Sequence, residues 1–144
     1  MGTKVPYGFS VQGIILNTVQ GVTTLTKKEY GQFVDATTVH TIFENFLVNK
    51  NACSLSLAKS FLKRVCEIEK FFETQTAFHN FGCSFLFVYD YDDETSAKVH
   101  LIDFAYAYPG NGKIDYELLC ASTSLRELLQ EFIADNNNNI SEAI

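Results

Sequence analysis

Two stretches decide how this chain is read: Cys83-Ser84-Phe85-Leu86-Phe87-Val88-Tyr89-Asp90 and Val99-His100-Leu101-Ile102-Asp103-Phe104-Ala105-Tyr106. Both are rich in β-branched and aromatic residues, and the segment between them, Asp92-Asp93-Glu94-Thr95-Ser96, is polar. They therefore read as antiparallel strands joined by a turn. A single carboxylate interrupts the second. Asp103 stands between Ile102 and Phe104, where burying an unpaired charge would cost several kcal/mol. It needs a partner, a metal, or an exposed strand end.

Downstream, Pro109-Gly110-Asn111-Gly112 has the composition of a loop. Ser124-Leu125-Arg126-Glu127 then has the form of a capping box, and Leu125, Leu128, Leu129 and Phe132 make the buried stripe of a last helix. Asn136 to Asn139 are expected to end the order, which leaves residues 136–144 as a polar tail.

Upstream, a helix from about Ser54 places Ala58, Phe61, Leu62, Val65 and Phe72 inward and Lys59, Lys63, Arg64, Glu67 and Lys70 outward. That basic face reads as solvated. Before it, Val39, Ile42, Phe43, Phe46 and Leu47 fall on one side of a helix that ends near residues 49–51. Residues 5–16 read as a strand, with Phe9, Val11 and Ile15 on one face and Ser10, Gln12, Ile14 and Leu16 on the other. Gln20-Gly21 reverses it, residues 22–25 return, and the capping box Thr26-Lys27-Lys28-Glu29 starts a helix near Lys27. No repeat or linker divides the chain, so residues 1–135 are expected to form one α+β domain, a small antiparallel sheet packed against helices.

With 144 residues, 47% of them hydrophobic and 13 of them Phe, the chain can bury one adequate core. A net charge of −6 gives no general attraction for nucleic acid or for an anionic membrane. A polyanion would have to be met by a local basic cluster, and Arg64 and Arg126 are the only guanidinium groups. Cys53, Cys66, Cys83 and Cys120 are widely spaced, and His40, His79 and His100 complete no zinc signature. The cysteines read as free thiols in a reducing compartment. No apolar run follows the first residues and none is long enough to span a bilayer, so the expected location is intracellular, in cytoplasm or nucleus.

The series Ser84-Phe85-Leu86-Phe87-Val88-Tyr89-Asp90, a charged turn, Leu101-Ile102-Asp103-Phe104-Ala105-Tyr106, and then an acidic residue ahead of a Leu-rich helix resembles the C-terminal part of the inositol polyphosphate kinases. Upstream, Tyr7-Gly8-Phe9-Ser10-Val11-Gln12-Gly13 is similar to that family's L-G-F-R-I-x-G segment, and Lys28-Glu29-Tyr30-Gly31-Gln32 to its D-K-Y-F-G-R helix start. The likeness runs from about Val5 to Ile133. It implies a fold like the C-terminal lobe of those kinases and, in the intact protein, transfer of phosphate from ATP to an inositol phosphate with Mg2+. Such a reaction spreads negative charge over phosphate oxygens, so the protein's task is positioning and neutralisation. By the resemblance, Asp103 holds the metal, Ser84, Ile102 and Asp103 belong to the nucleotide site, and Lys28 touches substrate phosphates. Each has a structural alternative: a strand-end acid bonded to the next turn, a small inward residue, a plain core residue, or a solvated lysine.

The chain departs from the family at several positions. Ser10 and Gln32 stand where the family has Arg, and Tyr106 where it has His or Lys. Each lost charge-assisted contact to phosphate is worth about 1.5–3 kcal/mol. The family's P-x-x-x-D-x-K-G motif, which supplies an Asp for the attacking hydroxyl and a Lys for the phosphates, follows neither Pro6 nor Pro109. There is also no Gly-rich strand pair that would cover ATP. The chain is thus expected to be the back part of a kinase, without the N-terminal lobe, inactive alone and carrying no catalytic residue. An apolar surface left by the missing lobe invites self-association. The alternative is a non-catalytic kinase-like module for protein interaction or inositol phosphate sensing.

Overall fold

A computed structural model describes residues 8–18, 20–26, 36–49 and 52–142. The elements are β1 (Gly13–Thr18), β2 (Gly21–Thr26), α1 (Ala36–Phe46), β3 (Val48–Asn49), β4 (Ala52–Cys53), α2 (Leu55–Thr74), β5 (Phe78–Asn80), β6 (Ser84–Asp90), β7 (Asp93–Ile102), β8 (Ala107–Pro109) and α3 (Tyr116–Glu142). The architecture is α+β, as the sequence implied. Among the described residues the strands form four separate antiparallel ribbons, β1–β2, β3–β4, β5–β8 and β6–β7, in place of one sheet.

The core forms where α2, α3, α1 and the inner face of the β6–β7 ribbon meet. Helix α2 starts at Ser54, whose hydroxyl accepts the Leu57 amide at 3.1 Å and donates to the Glu94 carboxylate of β7 at 2.9 Å. This satisfies one orphan amide of the first turn and ties the helix to the ribbon. Leu57, Ala58, Phe61 and Val65 of α2 form one buried cluster with Leu125, Leu128, Leu129 and Phe132 of α3, with Val39, Phe43 and Leu47 closing the other side. Burying each large side chain is worth about 1.5–3 kcal/mol. Phe61 anchors the ribbon, its ring lying 5.2 Å from Phe87, 5.9 Å from Phe46 and 6.1 Å from Tyr89. The Tyr89 hydroxyl donates toward the carbonyls of Phe46 and Val48, at 2.6 and 2.9 Å, and so closes the C-terminal end of α1.

Polar contacts cross the α2–α3 seam at Glu69. Glu69, buried on α2, receives Arg126 Nε at 2.6 Å and the Thr123 hydroxyl at 2.9 Å.

Several expectations change. The first strand begins at Gly13, and its inward residue is Ile14, while Ile15 is 71% exposed. Phe9 and Val11 pack on the core ahead of the strand, so the side-chain alternation breaks between them and Ile14. The hairpin turn is Tyr91-Asp92, shorter than expected, because Asp93 binds the Thr95 amide and hydroxyl at 2.8 and 2.6 Å and its own carbonyl accepts the Ser96 hydroxyl at 2.6 Å. Ser124 lies inside α3 and does not start it. The polar run after 135, expected to be a frayed tail, is helical through Glu142, with the Asn136 side chain donating to the Phe132 carbonyl at 2.8 Å. The capping box at Lys27–Glu29 lies outside the described residues. The four cysteines are free, and among the described residues no helix is long and apolar enough to cross a membrane.

Candidate functional site

β5 is followed in the chain by β6, and β7 by β8, so the two ribbons run in series along the same two segments. Ser84 faces Ile102 at the end of one ribbon, and Asn80 faces Ala107 at the end of the next. Between them three residues, 81–83, oppose four, 103–106. An unequal count of this kind is a bulge, which bends a strand and re-aims a side chain. Asp103 is the first residue of the longer side. Its φ is 67°, and Gly82 on the shorter side has φ 73°. Glycine adopts this left-handed region freely, whereas an L-residue is strained there, Asn and Asp least.

The strand thus ends at Ile102, and Asp103 emerges from it exposed. Its carboxylate makes no hydrogen bond or ion pair among the described residues. The loop it begins is held by its main chain: the Phe81 amide donates to the Tyr106 carbonyl at 3.2 Å, and the Ala107 amide to the Phe104 carbonyl at 3.3 Å. Ser84 and Ile102 are half-buried at the root of the loop. The sequence-predicted residues Ser84, Ile102 and Asp103 are therefore brought together. Lys28 lies outside the described residues.

Behind the loop sits Asp115, 5% exposed. Its carboxylate accepts the Asn80 amide at 2.9 Å and the Leu118 amide at 3.2 Å, so it caps α3 and holds the end of β5. Cys83 lies within electrostatic reach of both acids. Burial pushes its thiol above the usual range, and the negative charges of Asp115 and Asp103 add to that. Nearby, His79 Nε2 donates to the Lys113 carbonyl at 2.9 Å, and its ring meets Tyr108 with centroids 5.5 Å apart. Phe81, Phe104, Tyr106, Tyr108 and Tyr116 around this end of the molecule are all exposed.

Reading the sequence missed Asn80 and the double role of Asp115. The signal available for Asp115 was an acid directly before Tyr116-Glu117-Leu118, an acceptable N-cap. Nothing local marks Asn80, whose carboxamide is buried without a hydrogen-bond partner among the described residues.

The donor set bears on which cation could be held. Among the described residues no group of three His, Cys, Asp or Glu side chains comes together. A closed structural metal site is therefore not formed by them. One exposed carboxylate instead suits a hard divalent cation that takes most of its oxygens from phosphate and water. The two guanidinium groups are engaged elsewhere, Arg126 with Glu69 and Arg64 with Glu67 at 3.1 Å.

Comparison with known proteins places these features. The model of the family described as inositol polyphosphate kinase matches residues 1–130. Inositol polyphosphate multikinase alpha of Arabidopsis thaliana is 38% identical over 80 residues, 48% of this chain and 28% of the relative. Inositol polyphosphate multikinase IPK2 of Oryza sativa subsp. indica is 25% identical over 152 residues, 92% of this chain and 52% of the relative. Even the longer match thus leaves about half of the relative without a counterpart here. Among solved structures, an inositol phosphate multikinase superposes with TM-score 0.70 at 24% identity, covering 83% of this chain and 60% of that one. The inositol phosphate multikinase Ipk2 of S. cerevisiae, in complex with ADP and Mn2+, gives TM-score 0.67 at 18% identity, covering 83% and 55%. The shared fold and the family match over residues 1–130 agree with the strand pair around Asp103, and this chain belongs to the inositol polyphosphate kinase family.

Proposed function

We propose that this chain is the C-terminal part of an inositol polyphosphate kinase and that the intact protein transfers phosphate from ATP to an inositol phosphate with Mg2+. The observation that carries the reading is Asp103: an acid of an apolar strand, turned outward by a bulge, exposed, and without a partner among the described residues. Magnesium bound with the nucleotide would supply charge neutralisation across the phosphates. The chain's own part is to present the Asp103 carboxylate to that ion, to place the Ser84 hydroxyl beside it, and to offer Ile102 as an apolar surface for the base. Lys28 is proposed for the substrate phosphates. The complex of the yeast relative with ADP and Mn2+ supports use of a nucleotide with a divalent cation.

The 144 residues carry no P-x-x-x-D-x-K-G motif, so on this reading the chain alone does not transfer phosphate. It acts inside cells, and its exposed aromatic end self-associates when the rest of a kinase is absent. Residues 1–135 are proposed as the domain unit. Neither nucleic acid nor membrane is a partner of so acidic a chain.

Mg·ATP titrated calorimetrically into the intact protein, wild type against Asp103→Asn, tests the proposal. Weaker binding and lost turnover in the variant are expected, and equal affinity with equal turnover would sink it. A second reading, a kinase-like module that senses inositol phosphates or binds proteins, is favoured by the missing P-x-x-x-D-x-K-G motif and by Ser10 and Gln32 standing where the family has Arg. It predicts that inositol hexakisphosphate raises the thermal midpoint of the chain without nucleotide.

A further inference from the structure

We infer that Asp115 is a positioning residue for the Asp103 carboxylate, acting through the β5–β8 ribbon; the inference rests on the proposed role of Asp103 toward the nucleotide's divalent cation. The Asp103 side chain makes no hydrogen bond or ion pair among the described residues, so its position is set chiefly by the main chain on either side of it. One side is fixed by the Ser84–Ile102 pair, the end of a long ribbon packed on the core. The other side is fixed where Ala107 pairs with Asn80, in a ribbon only three pairs long. Asn80 is 5% exposed, yet its carboxamide has no hydrogen-bond partner among the described residues, so the hydrogen bonds that hold it come from its main chain. Its amide ends on Asp115 Oδ2 at 2.9 Å. Because Asp115 Oδ1 receives Leu118 of α3 at 3.2 Å, one carboxylate clamps the short ribbon to the start of a long helix. A buried acid serving only as a helix cap would need one oxygen. Asp115 uses both.

The two functions separate by substitution. Asp115→Asn keeps one carbonyl oxygen for the Leu118 amide but has no second acceptor for Asn80. Asp115→Ser, an equally good helix cap with one oxygen, must behave alike. In the metal-free chain of 144 residues, amide hydrogen exchange at residues 78–80 and 104–107 should rise about tenfold in both variants, the loss of one charge-assisted bond. Exchange in the interior of α3 should not change.

Broadening of the amide resonances of residues 102–105 by Mn2+, titrated alone, supplies the second readout. In the Asp115 variants it should need about tenfold more Mn2+, on the same estimate. Asp103→Asn should abolish it. If Asp103→Asn broadens like the wild type, the metal reading itself falls. If it does not broaden but the Asp115 variants match the wild type in Mn2+ response or loop exchange, the metal reading stands and the positioning role is refuted. Exchange that rises throughout α3 as much as in the loop would reduce Asp115 to a cap and also refute it.

Discussion

Replacing Asp103 by glycine should leave the fold as stable as before, or slightly more stable. With φ at 67° the residue sits in the left-handed region, which costs an L-residue about 1–2 kcal/mol, toward the lower end for aspartate. Glycine removes that strain but brings back about 0.5–1 kcal/mol of backbone entropy. The side chain itself contributes no compensating bond, since it is exposed and unpaired among the described residues. The net change is a gain of about 0 to 1 kcal/mol, or up to about 4 °C in thermal midpoint for a chain of this size. Asp103→Ala, which keeps the strain and lacks aspartate's tolerance of it, should instead lose about 1 kcal/mol. Urea unfolding followed by circular dichroism measures both. A loss above about 1 kcal/mol in the glycine variant would mean that the carboxylate holds the loop together, and the functional argument for Asp103 would fail. A residue whose removal does not harm the fold, kept in a strained conformation, is kept for something else.

Three other outcomes are expected. Glu69→Ala leaves the Arg126 guanidinium and the Thr123 hydroxyl without their acceptor at the helix seam and should cost about 2–3 kcal/mol in urea unfolding; an unchanged midpoint would show that the pair contributes nothing net. Asn80→Val keeps the backbone bond to Asp115 and removes two buried orphan atoms, so it should stabilise by about 1 kcal/mol, whereas destabilisation would reveal a water or other partner on the carboxamide. Because burial and then the charges of Asp115 and Asp103 raise the Cys83 thiol pKa, iodoacetamide should modify Cys83 slowly at pH 8. Asp103→Asn removes one negative charge, lowers that pKa and should speed the modification, read by peptide mass mapping; an unchanged rate would put the two side chains out of electrostatic reach.

The helical stripes were legible because burial follows a 3.6-residue period: Val39, Ile42 and Phe43 on α1 with Leu47 just after it, and Ala58, Phe61, Val65 and Phe72 on α2, proved buried, with Phe46 and Leu62 half-buried at the edges. The hairpin was legible from composition, but its boundaries were not. The acidic and hydroxyl residues 93–96 look like a turn, yet they bond to one another and let β7 begin at once. The start of α3 was missed because Ser124-Leu125-Arg126-Glu127 satisfies a local capping pattern, while the true cap is chosen by a contact from β5, 35 residues earlier. The asparagine run looked too poor a helix former to continue α3, and its first member is held by a bond back to Phe132. At the site, the acid in the apolar strand could be read directly. Its outward aim could not, because that depends on pairing β5 with β8, two strands of three residues that no periodicity reveals.

The unequal lengths of residues 81–83 and 103–106 make this segment sensitive to spacing as well as to identity. Deleting any one of residues 104–106 would let both ribbons join in one uninterrupted ladder, a locally more regular structure. A one-residue slip exchanges the two faces of a strand, so in that shortened chain an unchanged aspartate would be an ordinary ladder residue with its carboxylate turned away. A point-mutation survey would never encounter this failure, whereas a single-codon deletion scan would find it at once.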